Sequence, residues 1–298
     1  MHLPPELNSQ RLGENLEIPM SNPNIDLTSG VIPPRPSRSL EGRVAIVTGA
    51  GSRAHGIGNG RAAAILLTEA GASVVCVDMN LDWAKVTVDM ILEEFGREDK
   101  PARAIALQID VTKEDQCKHA VEYALQIYGR VDILVNNVGV GGPLGTAVDV
   151  DPAQWAKGLE VNVTSMMLMT KYAVPAMERN ERHPIAGRGS IVNMASVAGL
   201  VGGTPMLLYP TSKGAVINMT RAMAVHHAPS GIRVNCVCPG EFFDSVHISP
   251  VLMIVKACYI PQCCSQAECP KKFEKPARTV ACSRRKEMAG ILDVQCAF

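Results

Sequence analysis

Between residues 42 and 240, short apolar runs alternate with longer amphipathic stretches. The runs 44–47, 73–77, 104–109, 131–135, 189–194 and 231–237 have the length and β-branched content of buried strands. Between them, residues 61–69, 82–95, 113–128, 152–177 and 210–227 read as helices. In helix 82–95 the apolar positions are expected at Trp83, Val86, Val88, Ile91 and Leu92. Gly71 suits a helix C-cap, and Pro152 suits the first turn of the long helix through Asn162. Strands alternating with helices in this way predict an α/β fold, a doubly wound parallel sheet in a Rossmann-like three-layer sandwich.

The two ends depart from that rhythm. Residues 1–40 carry prolines at 4, 5, 19, 23, 33, 34 and 36 and no sustained period, so a disordered arm is expected. Residues 241–298 are rich in Cys, Lys, Arg and Pro, with no legible strand–helix alternation. The chain thus divides into an arm (1–40), a Rossmann-like domain (41–240) and an atypical tail (241–298). The break at Gly240 has the character of an altered reading frame, a retained intron or alternative splicing.

An apolar content of 47% is ample for a core. Twenty-nine basic residues balance twenty-nine acidic ones, so nothing favours nucleic acid or an anionic membrane as partner. No apolar run approaches the ~20 residues of a membrane span. Glu6, Glu14 and Glu17 interrupt the N-terminal stretch, against a leader peptide, and a cytoplasmic protein with reduced thiols is expected. Six of the ten cysteines (258, 263, 264, 269, 282, 296) lie in the tail without zinc-site spacing. His226 and His227 read as a solvated helix end, and no metal is expected. Met166, Met167 and Met169 are expected to pack the core or line a subunit face.

Three features carry candidate chemistry. Tyr209 and Lys213 are four apart, which stacks a phenol and an ammonium on one helix face. A nearby ammonium favours the phenolate and suits a phenol to acid–base work. That spacing alone is common by chance. Ser196, thirteen residues earlier, follows the run 189–194 and can point into the crevice at a strand's carboxyl end. It also fits a strand-end cap. Third, the turn after run 44–47 holds Gly49, Gly51, Gly56 and Gly58, with Ser52, Arg53 and Ile57 among them. A glycine turn between strand and helix cradles a pyrophosphate, although the spacing here is wider than G-x-G-x-x-G. Asp78 ends the next run, where an acid can bind the adenosine ribose and repel a 2′-phosphate, favouring NAD over NADP. The alternative for Asp78 is a simple strand-end residue or helix cap, and Arg53 and His55 can each contact a phosphate.

With these motifs in order, the sequence resembles the short-chain dehydrogenase/reductase family over residues 41–240. The family's T-G-x-x-x-G-x-G matches Thr48-Gly49 through Gly56-Ile57-Gly58, with Arg53-Ala54-His55 as three extra residues. Asp110-Val111 match the pair beside the adenine ring. Asn136-Asn137-Val138-Gly139 matches N-N-A-G, with Asn137 and Gly139 near the cofactor. Pro239-Gly240 matches the loop beside the nicotinamide, and Asn162, Ser196, Tyr209 and Lys213 match the catalytic four. The resemblance implies an NAD- or NADP-dependent oxidoreductase interconverting a small ketone and a secondary alcohol by hydride transfer. In it Tyr209 is the acid/base, and Lys213 assists it and binds the nicotinamide ribose. Ser196 orients the substrate oxygen, and Asn162 supports a water linking Lys213 to solvent. Asn162 also fits a helix-kink residue. A dimer or tetramer is implied if the C-terminus permits, and the body is similar to reductases of secondary metabolism. After Gly240 the family's nicotinamide-contacting threonine, lid helices and last strand are not legible. A catalytically weak or inactive dinucleotide-binding chain is therefore the alternative.

Overall fold

A computed structural model of the protein describes residues 38–53, 56–96, 103–184, 186–244 and 247–251. The expected arm up to residue 37, His55, and the tail beyond 251 lie outside the described residues. Six strands form one parallel sheet: β1 (Val44–Thr48), β2 (Ser73–Asp78), β3 (Ala104–Gln108), β4 (Ile133–Asn136), β5 (Gly189–Met194) and β6 (Ile232–Val237). Their order is β3-β2-β1-β4-β5-β6. The winding reverses between β1 and β4, and a crevice at such a switch point is where open α/β sheets bind ligands.

The helices are α1 (Asn59–Glu69), α2 (Leu81–Phe95), α3 (Glu114–Tyr128), α4 (Pro152–Leu159), α5 (Ser165–Glu178), α6 (Ala198–Val201) and α7 (Leu208–His227). Both sheet faces are covered, which is why the strands read as continuous apolar runs. On one face Ala45, Val47, Val74 and Cys76 pack against Ala64 and Leu67 of α1 and Val88 and Ile91 of α2. On the other, Ile46, Val75, Leu134 and Ile191 meet Val121 of α3, Met169 and Ala173 of α5, and Met223 of α7. Met166 and Met169 are buried and Met167 is exposed, so the methionine run belongs partly to the core. No described helix is long and apolar enough to cross a membrane.

Several expected elements are shifted. In α2 the buried stripe is Ala84, Thr87, Val88 and Ile91, while Val86 and Leu92 are exposed. Positions 84, 87, 88 and 91 keep helical spacing, and 86 and 92 fall off that face. The long helix expected over 152–177 is interrupted by a π-helical turn, Glu160–Thr164, between α4 and α5. α7 begins two residues before Pro210, which sits in its first turn where no N–H is required. Beyond Gly240, where the sequence shows no legible element, β7 (Gly240–Asp244) and β8 (His247–Val251) pair as an antiparallel hairpin. They do not extend the main sheet, and β6 is its edge among the described residues.

At the opposite, amino end of β4, Asp132 is buried and binds Arg43 and Arg130 at 2.8 and 2.7 Å and the Val44 amide at 3.0 Å. This ionic cluster secures the sheet's far end, away from the crevice.

Candidate active site

The glycine turn is held from three sides. Gly60, in the first turn of α1, faces the Gly49 carbonyl, and a Cβ there would lie 2.0 Å from that oxygen. Only glycine lets the helix back so closely onto the turn. From β4, the Asn137 amide donates to Gly49 O at 3.0 Å, and the Asn137 N–H donates to Thr48 Oγ1 at 3.1 Å. From β2, Asp78 Oδ2 accepts the Gly51 N–H at 3.0 Å and Oδ1 accepts the Asn80 N–H at 3.0 Å.

Asp78 is therefore a structural strand-end residue. Each carboxylate oxygen keeps a lone pair for a further donor such as a ribose hydroxyl. The cap of α2 is Asn80, whose Oδ1 accepts from the Asp82 and Trp83 amides. α1 has neither a side-chain cap nor an acidic residue in its first turn. Its free N–H groups and dipole therefore face the turn, an arrangement that fits the pyrophosphate of a dinucleotide. Exposed Arg53 edges a cavity of about 600 Å³ lined also by Met79, Asn80, Trp83 and Gln108. It opens at the carboxyl ends of β2 and β3.

Asp110 lies past β3. Its Oδ1 accepts from the Thr112 N–H at 2.9 Å and from Thr112 Oγ1 at 2.8 Å. Partial burial pushes this carboxyl up, but the Thr112 bonds and the Lys113 charge outweigh it, and the net shift is downward. Asp110 thus shapes its own loop, with Val111 buried beside it.

At the carboxyl ends of β4, β5 and β6 the other candidates converge. Tyr209 is half-buried in the first turn of α7, and Lys213 Nζ lies 5.7 Å from its ring centroid. Lys213 is 3% exposed, and its Nζ donates to the Met194 carbonyl at 2.7 Å. Burial pulls its ammonium down to about 8. Ser196 sits between β5 and α6. Its Oγ accepts from the Ala198 N–H at 3.2 Å and makes only a long 3.4 Å contact with the Pro239 carbonyl. It thus accepts at the start of the short helix, whose N-cap residue is Val197, while its hydroxyl proton is weakly held. Pro239 O also accepts the Val197 N–H at 3.0 Å, so the Pro239-Gly240 loop is tied to the Ser196 segment.

Asn162 lies in the π turn and is fully buried. Its Oδ1 accepts the Val140 N–H at 2.7 Å, while its Nδ2 donates to Val140 O and Ser212 Oγ, each at 2.9 Å. Ser212 Oγ donates in turn to Tyr209 O at 2.8 Å. The irregular turn delivers this amide to the loop after β4 and to α7. A Cβ on Gly139 would lie 3.1 Å from Lys213 Nζ and 3.5 Å from Asn162 Oδ1, so bare backbone faces both. Ser212 and Val140 go unnoticed in the sequence; only the i+3 spacing of Ser212 from Tyr209 hints at it. His226 and His227 meet edge-on at 6.5 Å, and no described cluster of His, Cys, Asp or Glu could hold a metal.

This fold has known counterparts. The short chain dehydrogenase family model matches residues 43–246, and the chain belongs to that family. It is an oxidoreductase whose site fits a nicotinamide cofactor. Among its relatives are the cyclohexanol dehydrogenase of Acinetobacter sp., 34% identical over 204 residues (68% of this chain, 74% of the relative). The meso-2,3-butanediol dehydrogenase of Serratia marcescens is 36% identical over 203 residues (67% and 71%). Among solved structures, NAD⁺-bound xylitol dehydrogenase is 33% identical with a TM-score of 0.59, covering 67% of this chain and 70% of that one.

Proposed function

We propose that the protein interconverts a neutral ketone and a secondary alcohol, with NAD preferred over NADP and Tyr209 as the proton carrier. The observation that carries this reading is the convergence of Ser196, Tyr209 and buried Lys213 on one crevice beyond the glycine turn. In reduction the Tyr209 phenol gives its proton to the carbonyl oxygen, and in oxidation it takes the proton back. The Ser196 hydroxyl, whose proton makes only a long contact to Pro239 O, turns to donate to the same oxygen and orient it. The Lys213 charge stabilises negative charge on the tyrosine oxygen as the proton leaves. Asn162 and Ser212 fix the start of α7 against the loop after β4. A bound nicotinamide supplies or accepts the hydride.

Neutrality of the substrate follows from the loops around Tyr209. Residues 138–148 and 194–208 contain no charged side chain. The Gly145–Met206 bridge joins them, with Gly145 N–H donating to Pro205 O at 3.1 Å and Leu207 N–H donating to Gly145 O at 3.3 Å. A carboxylate laid against these loops would lose water without gaining a counter-ion from them, Lys213 being already engaged with the Met194 carbonyl and facing Tyr209. The cyclohexanol and butanediol named for two relatives are likewise uncharged. The test is NADH-dependent reduction of cyclohexanone against 4-oxocyclohexanecarboxylate. The neutral ketone is expected to lead by at least about tenfold in kcat/KM, a difference of ~1.4 kcal/mol. Equal or better use of the carboxylate refutes the neutral wall. Asp78 supports NAD, and NADH is expected to bind more tightly than NADPH. The reverse order gives the decision to Arg53.

A second reading, dinucleotide binding without turnover, is favoured by one observation. The segment after Gly240 forms a separate hairpin and leaves β6 at the edge of the sheet among the described residues. Saturable NADH binding with no turnover on any ketone would select it.

A further inference from the structure

We propose that Arg61 is a positioning residue for the phosphate-binding turn, setting the Gly56–Ile57 peptide so that the Ile57 N–H faces the cofactor's pyrophosphate. The inference rests on the nicotinamide-cofactor reading of that turn. Arg61 stands in an Ala- and Leu-rich helix, where an arginine ordinarily faces solvent, yet it is 3% exposed. Its Nε donates to Thr87 Oγ1 at 3.0 Å, and an Nη donates to Gly56 O at 2.9 Å. Thr87, itself fully buried on α2, donates to Ala50 O at 2.7 Å. One linked set therefore draws down a carbonyl on each arm of the turn, Ala50 before the three extra residues and Gly56 after them.

The rest follows from peptide geometry. Among the described residues no peptide bond is cis, so a C=O and the N–H of the next residue point in opposite directions. With the Gly56 carbonyl pinned towards Arg61, the Ile57 N–H points the other way, out of the turn. The charge matters as well. Among the described residues no carboxylate pairs with Arg61. A buried cation without a counter-ion is unfavourable. The negative charge that a dinucleotide's phosphates bring to this turn supplies the missing balance.

The test compares Arg61→Met and Arg61→Lys with the wild-type full chain. NADH affinity is read by fluorescence titration, ADP and adenosine affinities by calorimetry. Arg61→Met is expected to weaken NADH and ADP by about tenfold or more, as loss of a charge-assisted contact would, and to leave adenosine within about twofold. Arg61→Lys is expected to recover part of the loss. The inference is overturned if Arg61→Met binds NADH within about twofold of wild type, or if adenosine weakens as much as ADP, which marks a merely structural arginine. Should Arg61→Met fail to fold, Thr87→Val removes the bond that anchors Arg61 Nε, and the hold on Ala50 O, while keeping the packing. It is expected to weaken ADP selectively, and unchanged ADP affinity again overturns the inference. Absence of saturable NADH binding by the wild type sinks the cofactor reading itself, and this inference with it.

Discussion

Tyr209→Phe is expected to lower kcat about 10³-fold while leaving NADH affinity within about twofold, because only the proton-carrying oxygen is removed. The ring stays in the first turn of α7. The Ser212–Tyr209 bond uses the backbone carbonyl, so the Asn162–Ser212 link survives the change. The split is the informative part. A residue that merely shaped the crevice would raise KM or lower stability, whereas loss of the acid/base lowers kcat with binding intact. Turnover within about tenfold of wild type would remove Tyr209 from the chemistry.

Lys213→Met is expected to abolish measurable turnover and at the same time to stabilise the fold at neutral pH. Lys213 is held by burial at about 8 in the folded protein, against ~10.4 for an unfolded lysine. The folded state therefore binds this proton less tightly than the unfolded chain does. The sign is destabilising: the penalty is fully present below pH 8 and fades as pH rises towards ~10.4. A gap of roughly two units corresponds to ~3 kcal/mol. Methionine keeps the stem volume but forfeits the bond to the Met194 carbonyl, so a net gain of about 2 kcal/mol is expected at pH 7. Urea unfolding at pH 7 and pH 10 checks it. The gain should shrink at the higher pH, and a variant less stable than wild type at pH 7 would contradict it.

The sheet was legible because both of its faces are covered. Strands buried on two sides read as unbroken apolar runs, and all six appear within one or two residues of their expected bounds. Helix boundaries and faces were less so. Val86 and Leu92 look like core residues by type, yet the small Ala84 and the polar Thr87 occupy the inward face because spacing, not hydrophobicity, selects it. The π turn at Asn162 leaves the surrounding apolar pattern continuous and so has no signature in the sequence. In the candidate site, Tyr209, Lys213, Ser196 and the glycine turn declared themselves through spacing and order. Arg61, Ser212 and the Met194 carbonyl did not. Each makes a bond to a residue distant in sequence that only the tertiary fold brings near, and an arginine bound to a buried threonine and a glycine carbonyl reads in sequence like any surface arginine. Asp78 shows both sides at once: position suggested a ribose ligand, and the structure adds its hold on the Gly51 and Asn80 amides.

The decisive measurement is isotope transfer. The full chain is incubated with cyclohexanone and NADH deuterated at the nicotinamide C4, and the alcohol product is analysed by mass spectrometry. Cyclohexanol carrying one deuterium on its carbinol carbon, formed by wild type and not by Tyr209→Phe, is the expected result. Folded protein that binds NADH saturably but forms no labelled alcohol from this or any neutral ketone would contradict it.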